Sequence, residues 1–200
     1  FDRIPTMHGR AWARTINQLA VQVLLSNAAL TDTVALFHAS HSNLDAATTT
    51  VTTKATAEAV IRALELLLMQ QTDIDGASYL NLSPAVLVTG PTLKNYYIQA
   101  LAETDRADNN RAVDIAQLGI TLVAEPEIEN ATLTGYGANI TYAFANPSDA
   151  PVVEVRFLDG NDAPRLEQET GFAVDGVRFK VAGDVAAAAI DYRGAAKHVN

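Results

Sequence analysis

Two histidines, His38 and His41, lie three positions apart in the stretch LFHASHSNL (residues 36–44). Imidazole nitrogens are common zinc ligands. A zinc site needs at least three converging protein ligands, so a carboxylate such as Asp32 or Asp45 would have to complete it. The stretch also lacks the glutamate and the four-residue helical spacing of the metalloprotease motif. The pattern therefore favours ordinary loop histidines over metal ligands.

Nucleophilic and ligand-binding motifs are equally weak in this sequence. Ser40 lies directly beside His41, whereas the members of a catalytic triad come from distant segments, and there is no G-x-S-x-G nucleophile elbow. GYG (residues 135–137) precedes a predicted strand, the reverse of a dinucleotide-binding loop. DIDG (residues 73–76) lacks the later ligands of a calcium loop. The sequence therefore predicts no catalytic residue, no metal, no cofactor and no enzyme. A zinc-dependent hydrolase using His38 and His41 is the alternative hypothesis.

The composition narrows the class of protein further. The 200 residues are 48% hydrophobic, enough for a substantial core, and the lack of cysteine excludes disulfides and thiolate metal sites. The net charge of −9 falls mainly in residues 101–200, with 8 basic and 16 acidic groups. Nucleic-acid binding, which needs clustered Lys and Arg, is therefore not expected. No apolar run approaches the roughly 18 residues of a membrane span. Because the chain begins at Phe1 and not at methionine, we expect a fragment of a longer or processed protein.

The predicted elements begin with helices. Apolar residues spaced three and four apart predict amphipathic helices over residues 10–30 and 55–71. A third helix is predicted to begin at Pro91, a residue favoured at the first helical position, and to continue to Glu103. The threonine-rich residues 31–53 are predicted as a long polar loop with short extended pieces. The stripe of the first helix consists of Trp12, Ile16, Leu19, Ala20, Val23 and Leu24.

Strands dominate the second half of the chain. Short apolar or alternating runs predict strands in PAVLVTG (84–90), GITLVAE (119–125), NITYAFA (139–145), VVEVRFL (152–158) and AAAAIDYR (186–193). In FAVDGVRFKVA (172–182), Asp175 and Gly176 predict a two-residue hairpin turn, because such a turn needs positive φ angles. Helices followed by mostly antiparallel strands indicate an α+β fold, not regular βαβ alternation.

Four stretches, in chain order, resemble the major capsid proteins of Mu-like tailed phages and prophages. They are GRAWARTINQLAVQVLLSN (9–27), LFHASHSNL (36–44), YLNLSPAVLVTGPTL (79–93) and the run from VEVRFLDG to DYRGAAK (153–197). The second is similar to the family's F-H-x-x-H-x-N-L loop. The fourth contains the F-L-D-G, F-x-V-D-G-V-x-F-K-V and D-Y-R-G-x-x-K pieces in order. The resemblance covers most of residues 8–197. The sequence departs from the family in its neutral VAG (181–183), where charges are frequent, and in TDTVALF, which lacks a glycine before L-F-H.

The resemblance implies the Hong Kong 97-type capsid fold, an α+β architecture with a long spine helix, a peripheral β-sheet and an axial lobe. It implies peripheral-lobe helices and a loop in residues 1–84, the axial lobe in residues 85–135, and peripheral-lobe strands in residues 136–200. The N-terminal arm and E-loop of such folds normally precede the spine helix, and we expect them here only as residues 1–9. We therefore expect this chain to assemble poorly by itself.

The implied function is structural: a major capsid subunit that self-assembles, through pentamers and hexamers, into the icosahedral head of a tailed phage or prophage. A scaffold or head protease is a further implied partner, and the implied location is the virion, assembled in the bacterial host cytoplasm. A phage-head accessory or decoration protein is the second alternative. The positions that carry the family motifs, all expected to be structural, are Phe37, His38, His41, Asn43, Leu44, Asp159, Gly160, Asp175, Gly176, Arg193 and Gly194.

Overall fold

The computed structural model describes residues 3–47, 49–102, 115, 117–170 and 177–199. The helices are α1 (Arg3–Ser26), α2 (Lys54–Met69) and α3 (Lys94–Leu101). The strands are β1 (Leu44–Asp45), β2 (Val86–Thr89), β3 (Thr121–Ala124), β4 (Ile140–Phe144), β5 (Val153–Phe157), β6 (Arg165–Thr170), β7 (Val177–Ala182), β8 (Val185–Ala189) and β9 (Ala195–Val199). Short 3₁₀ turns span Ala39–His41, Pro126–Glu129 and Leu158–Gly160. This content confirms the predicted α+β class.

Five strands form the main sheet, in the order β1-β9-β4-β2-β3. Strand β4 pairs antiparallel with both β2 and β9, whereas β3 is parallel to β2 and β1 is parallel to β9. The pairs β5 with β8 and β6 with β7 are antiparallel and form two separate two-stranded sheets. Antiparallel pairs thus predominate among the described strands, as the sequence predicts.

Helix α1 runs from Arg3 to Ser26, whereas the periodicity predicts residues 10–30. It ends because Asn27 adopts a left-handed φ of 48°. The Asn27 side chain pairs with the backbone of Phe37: its Oδ1 accepts the Phe37 N–H at 2.7 Å, and its Nδ2 donates to the Phe37 carbonyl at 3.1 Å. The predicted stripe is half-buried except for Leu24, which is buried. The end of the helix is thereby fixed to the loop that follows it.

Helix α2 lies within two residues of its predicted range at each end. The Thr53 hydroxyl accepts the Thr56 N–H and the Thr56 hydroxyl accepts the Thr53 N–H, a capping box that satisfies two free backbone donors. Helix α3 begins at Lys94 and not at Pro91. In the turn before it, the N–H and the hydroxyl of Thr92 both donate to the Glu129 carboxylate at 2.9 Å. The predicted end at Glu103 lies outside the described residues. The buried stripe of α2 consists of Ala57, Val60, Ile61, Leu64 and Leu68.

Strand β7 pairs with a segment that the sequence does not predict as a strand. Its partner is β6, with Val177 opposite Thr170. The FAV run just before Asp175 lies outside the described residues. The sequence RLEQET of β6 is polar and exposed, so it shows no apolar periodicity. Asp175 and Gly176, with the two-residue turn predicted for them, lie outside the described residues. Strand β1 lies within residues 31–53, for which a polar loop with short extended pieces is predicted. Strand β9 has no counterpart in the prediction.

The main sheet takes strands from all three segments that the resemblance implies. Strand β1 comes from residues 1–84, β2 and β3 from residues 85–135, and β4 and β9 from residues 136–200. The division into lobes stays a prediction. Within the described part of the chain, no helix combines the length and apolarity that crossing a bilayer requires.

Two buried tyrosines predict a loss of stability at alkaline pH. Burial raises the pKa of Tyr97 to about 12, although its hydrogen bond to the Thr141 hydroxyl at 2.8 Å acts in the opposite direction. Burial also raises the pKa of Tyr142. An unfolded phenol ionises near about pH 10. The folded state therefore holds more protons above that pH, and stability that is complete below about pH 10 falls as the pH rises towards 12.

Absorbance at 295 nm and far-UV circular dichroism, recorded on the same samples between pH 9 and about 12, test this expectation. We expect two phenols to stay protonated until the helical signal is lost. Ionisation of every tyrosine near pH 10 with an unchanged helical signal would contradict it.

Candidate functional site

The stretch of residues 36–44, which we call the histidine loop, combines a buried apolar start with a mostly exposed short turn. Leu36 and Phe37 are fully buried, and the Phe37 ring lies 5.3 Å from that of Tyr142 in β4. His38 is exposed and caps the 3₁₀ turn that follows, because its Nδ1 accepts the Ser40 N–H at 3.1 Å. The loop is thus held by its apolar start and by its own short turn.

His41 is buried and both of its ring nitrogens have partners within the chain. Its Nε2 lies 2.7 Å from Oδ2 of Asp32, and its Nδ1 lies 3.2 Å from the carbonyl oxygen of Leu36. The ring stacks on Tyr192, with centroids 3.8 Å apart and an interplanar angle of 1°. The N–H of Val34, together with His41, holds the pKa of Asp32 below its usual value. His41 therefore joins the loop to the segment before β9.

The side chain of Asn43 is completely buried and forms three hydrogen bonds. Its Oδ1 accepts the His38 N–H at 3.0 Å. Its Nδ2 donates to the carbonyls of Leu36 at 2.8 Å and Tyr192 at 3.3 Å. Its own carbonyl accepts the Lys197 N–H at 2.9 Å. One amide side chain thereby fixes the shape of the loop and its position on the C-terminal segment.

Strand β9 carries a second histidine–carboxylate contact. His198 is fully buried, with Nδ1 2.8 Å from Oδ2 of Asp45 and Nε2 2.9 Å from the carbonyl of Thr49. The neighbouring Lys197 places its ammonium group 5.7 Å from the centre of the Phe37 ring, and burial lowers the pKa of Lys197. The sequence does not reveal this contact, because only the parallel pairing of β1 with β9 brings Asp45 beside His198.

Two of the remaining predicted positions, Arg193 and Gly194, lie beside the histidine loop. Arg193 lies over the Tyr192 ring at 5.2 Å and binds Asp191, with Nη1 and Oδ2 3.1 Å apart. Gly194 packs against the backbone of residue 150. Phe37, His38, His41, Asn43, Leu44, Arg193 and Gly194 therefore belong to one region, in which residues 36–45 meet residues 191–198.

Asp159 and Gly160 form a separate exposed turn after β5. Both have positive φ angles, 55° and 70°. Asp175 and Gly176 lie outside the described residues, so the motif that contains them has no structural account.

The side chains of this region hold chain segments together and offer no evident reactive group. Among the described residues, no three His, Asp or Glu side chains converge as metal ligands would. An open cleft of about 520 Å³ lies beside the loop, lined in part by Asp32, Tyr192 and Arg193. Its charged groups are already engaged, Asp32 with His41 and Arg193 with Asp191. The arrangement therefore favours positioning of chain segments over binding of a reactant.

The two loop histidines are expected to differ in their contribution to stability. The substitution His41→Ala removes a carboxylate partner and a stacked ring, and we expect it to lower the free energy of unfolding by about 2–3 kcal/mol. The matched substitution His38→Ala removes one exposed cap and is expected to cost under about 1 kcal/mol. Urea denaturation followed by circular dichroism measures both. Equal losses in the two variants would show that the contacts of His41 contribute nothing beyond those of the cap.

Comparisons with known proteins agree with a structural role. The family model described as phage capsid protein matches residues 1–198. No curated protein sequence matches the chain. A crystal structure of a phage-related protein from Bordetella bronchiseptica RB50 is similar with a TM-score of 0.50 and 11% identity, over 88% of this chain and 60% of that one. A virus-like particle from Pyrococcus furiosus matches with a TM-score of 0.44 and 14% identity, over 78% of this chain and 54% of that one.

The chain thus spans about 60% of the length of the Bordetella protein, and at 11% identity that likeness shows a shared fold alone. The family match extends over almost every residue, including the histidine loop and the strand that it braces. The chain belongs to the phage capsid protein family.

Proposed function

We propose that this protein is the structural major capsid subunit of a Mu-like tailed phage or prophage, with the Hong Kong 97-type fold, and that it self-assembles into the icosahedral head. The observation that carries the proposal is the family match over residues 1–198. The geometry of the histidine loop supports it, because the loop's side chains fix one part of the chain to another. Helix α1, with 24 residues and a length of about 36 Å, has the dimensions of a spine helix.

The lobes of this fold follow the sheets in our proposal. Strands β4 and β9 are hydrogen-bonded into the same sheet as β2 and β3. Because the strands of one sheet are held together by hydrogen bonds, we place β4 and β9, together with the short β1, in the axial lobe with residues 85–135. Helix α1 and the pairs β5 with β8 and β6 with β7 then make up the peripheral lobe. This allocation refines the three-segment division that the resemblance implies.

The mechanism of a capsid subunit is assembly. Copies meet in pentamers and hexamers through many moderate interfaces, and a closed shell forms because each contact repeats by symmetry. A scaffold or a head protease is the further partner that this role involves. The location is the virion, after assembly in the bacterial host cytoplasm. A braced subunit interior suits this role, since repeated contacts need surfaces of fixed shape.

Electron microscopy of the protein made from its complete coding sequence tests the proposal. We expect rings of five and six copies, or closed shells, without any other phage protein. The 200-residue chain alone is expected to assemble less completely, as light scattering would show. A complete product that stays monomeric, and binds only to heads already formed, would instead identify an accessory or decoration protein.

The zinc-dependent hydrolase hypothesis has its own test. Elemental analysis of the purified protein is expected to find no stoichiometric zinc, because both nitrogens of His41 are engaged within the chain. Stoichiometric zinc that disappears in a folded His41→Ala variant would favour the hydrolase.

A further inference from the structure

Helix α1 is covered differently along its length. Every residue from 18 to 25 is buried or half-buried. Between residues 3 and 17, the described side chains are exposed except for three, which are half-buried and lie four positions apart: His8, Trp12 and Ile16. That spacing is one stripe of a helix, so the first half of α1 touches the rest of the protein along a single line. Its opposite face is open.

The open face has a definite composition. Arg3, Met7, Arg10 and Arg14 follow one another at intervals of four, three and four, which places them on one face of the helix. All four are exposed, Met7 to 65%. We call these four residues the arginine face.

The same face continues into the second half of the helix, where it is covered. Asn17 donates from Nδ2 to Oε2 of Glu125 at 3.0 Å, and after it Val21 and Leu25 are buried. Asn17 therefore marks the point at which the protein's own contacts to this face end. The residues before it continue the face with nothing described lying over them.

The charge of this helix is opposite to that of the remaining chain. Helix α1 contains three arginines and no acidic residue. Since the whole chain carries −9 and the helix +3, the other residues together carry −12. Arg3, Arg10 and Arg14 form no ion pair with any described residue. An exposed basic stripe on an otherwise acidic protein is complementary to the acidic surface of another copy.

We propose that the arginine face is a docking surface for an acidic patch on a second copy of this chain. The inference rests on the proposed function, because a capsid subunit must present surfaces to its own copies. Arginine and methionine are both enriched in protein interfaces, and Met7 supplies an apolar centre between the arginines. A nucleic acid is the less favoured occupant, because binding to a phosphate backbone relies on many Lys and Arg contacts and this face offers three arginines.

Sedimentation velocity over a concentration series tests the docking surface. The double substitution Arg10→Glu and Arg14→Glu is expected to weaken self-association by at least about tenfold, because it sets like charges against each other. Raising NaCl from about 50 mM to about 500 mM is expected to weaken association of the unaltered chain and to have little effect on the variant. The matched control, Lys94→Glu with Arg178→Glu, changes the net charge equally at exposed positions outside α1 and is expected to associate normally. Circular dichroism confirms the fold of each variant.

The outcomes separate the two proposals. If the unaltered chain does not associate, the docking surface is refuted. If the complete protein also forms no capsomers, the proposed function fails as well. If the chain associates and the α1 variant associates equally well, the docking surface alone is refuted. Binding of a short labelled DNA duplex that the α1 variant loses, with unchanged self-association, would identify a nucleic-acid surface and would also overturn the proposal.

Discussion

The substitution Gly194→Ala is expected to lower the free energy of unfolding by about 3 kcal/mol, through steric overlap in a packed interior. A Cβ atom at this position would lie closer than 3.0 Å to the carbonyl oxygen of Ala150, and 2.9 Å from Cγ2 of Val152. The backbones of Gly194 and Ala150 cannot move apart freely to relieve this overlap. The Gly194 carbonyl accepts the Ala145 N–H at 2.8 Å, and the Ala150 N–H donates to Asn146 at 3.2 Å, so both backbones are tied to the same turn.

Urea denaturation followed by circular dichroism measures this loss, and Gly9→Ala is its matched control. Gly9 lies within α1, and a Cβ atom there would meet no atom within 4 Å. Alanine favours a helix over glycine by about 1 kcal/mol, so the control variant is expected to be equally or more stable. A Gly194→Ala variant as stable as the unaltered chain would mean that residues 194 and 150 are not packed as described.

Gly194 shows what sequence reasoning reaches and what it does not. The resemblance in D-Y-R-G-x-x-K marks the glycine as a family position, but not the backbone that excludes a side chain there. That backbone lies far away along the chain, and the two meet only because β4 and β9 pair. Local patterns, in contrast, determine α2 well. Its apolar stripe has the helical period, and its cap is formed by neighbouring residues.

Apolar and alternating runs predict strands, whereas a polar or very short strand leaves no such pattern. Runs of this kind predict β2, β3, β4 and β5. β6 is polar and exposed on both faces, so neither period appears in its sequence. β1 has only two residues and pairs with β9 across most of the chain. The register of such a pair is fixed by tertiary contacts, which no short window of sequence contains.

Only part of the site can be identified from the sequence, because its long-range contacts also leave no local pattern. The spacing F-H-x-x-H-x-N-L identifies the loop, and the count of possible ligands favours a structural role. The partners of the loop remain invisible in sequence: the contact from Asn43 to Tyr192 joins residues 149 positions apart. No motif in the sequence singles out His198, yet it is fully buried against Asp45.

The substitution Asn43→Asp is expected to lower the free energy of unfolding by at least about 3 kcal/mol at neutral pH, because it buries an unpaired charge. The two side chains have the same shape, so packing is preserved. The Nδ2 group donates to the carbonyls of Leu36 and Tyr192. A carboxylate oxygen in its place would face two acceptors and would lose both hydrogen bonds. Asn43 is completely buried, so water cannot replace them.

The loss in this variant is also expected to depend on pH. Burial beside two carbonyl oxygens raises the pKa of the new carboxyl above its unfolded value of about 4. The folded variant then binds more protons than the unfolded one between these two pKa values, so the penalty is present at neutral pH and shrinks as the pH falls towards the unfolded value. At acidic pH the protonated carboxyl can donate to one of the two carbonyls, as the amide did.

Urea denaturation of the variant and the unaltered chain at about pH 7 and about pH 4.5 measures the effect, because groups common to both proteins cancel in the difference. We expect the difference to be smaller by at least about 1 kcal/mol at the lower pH. Asn43→Ala is the control: it removes the same hydrogen bonds without a charge, so its penalty should not change with pH. A pH-independent loss in Asn43→Asp would mean that position 43 does not face the two carbonyls. The loop would then not be fixed to the C-terminal segment by its amide.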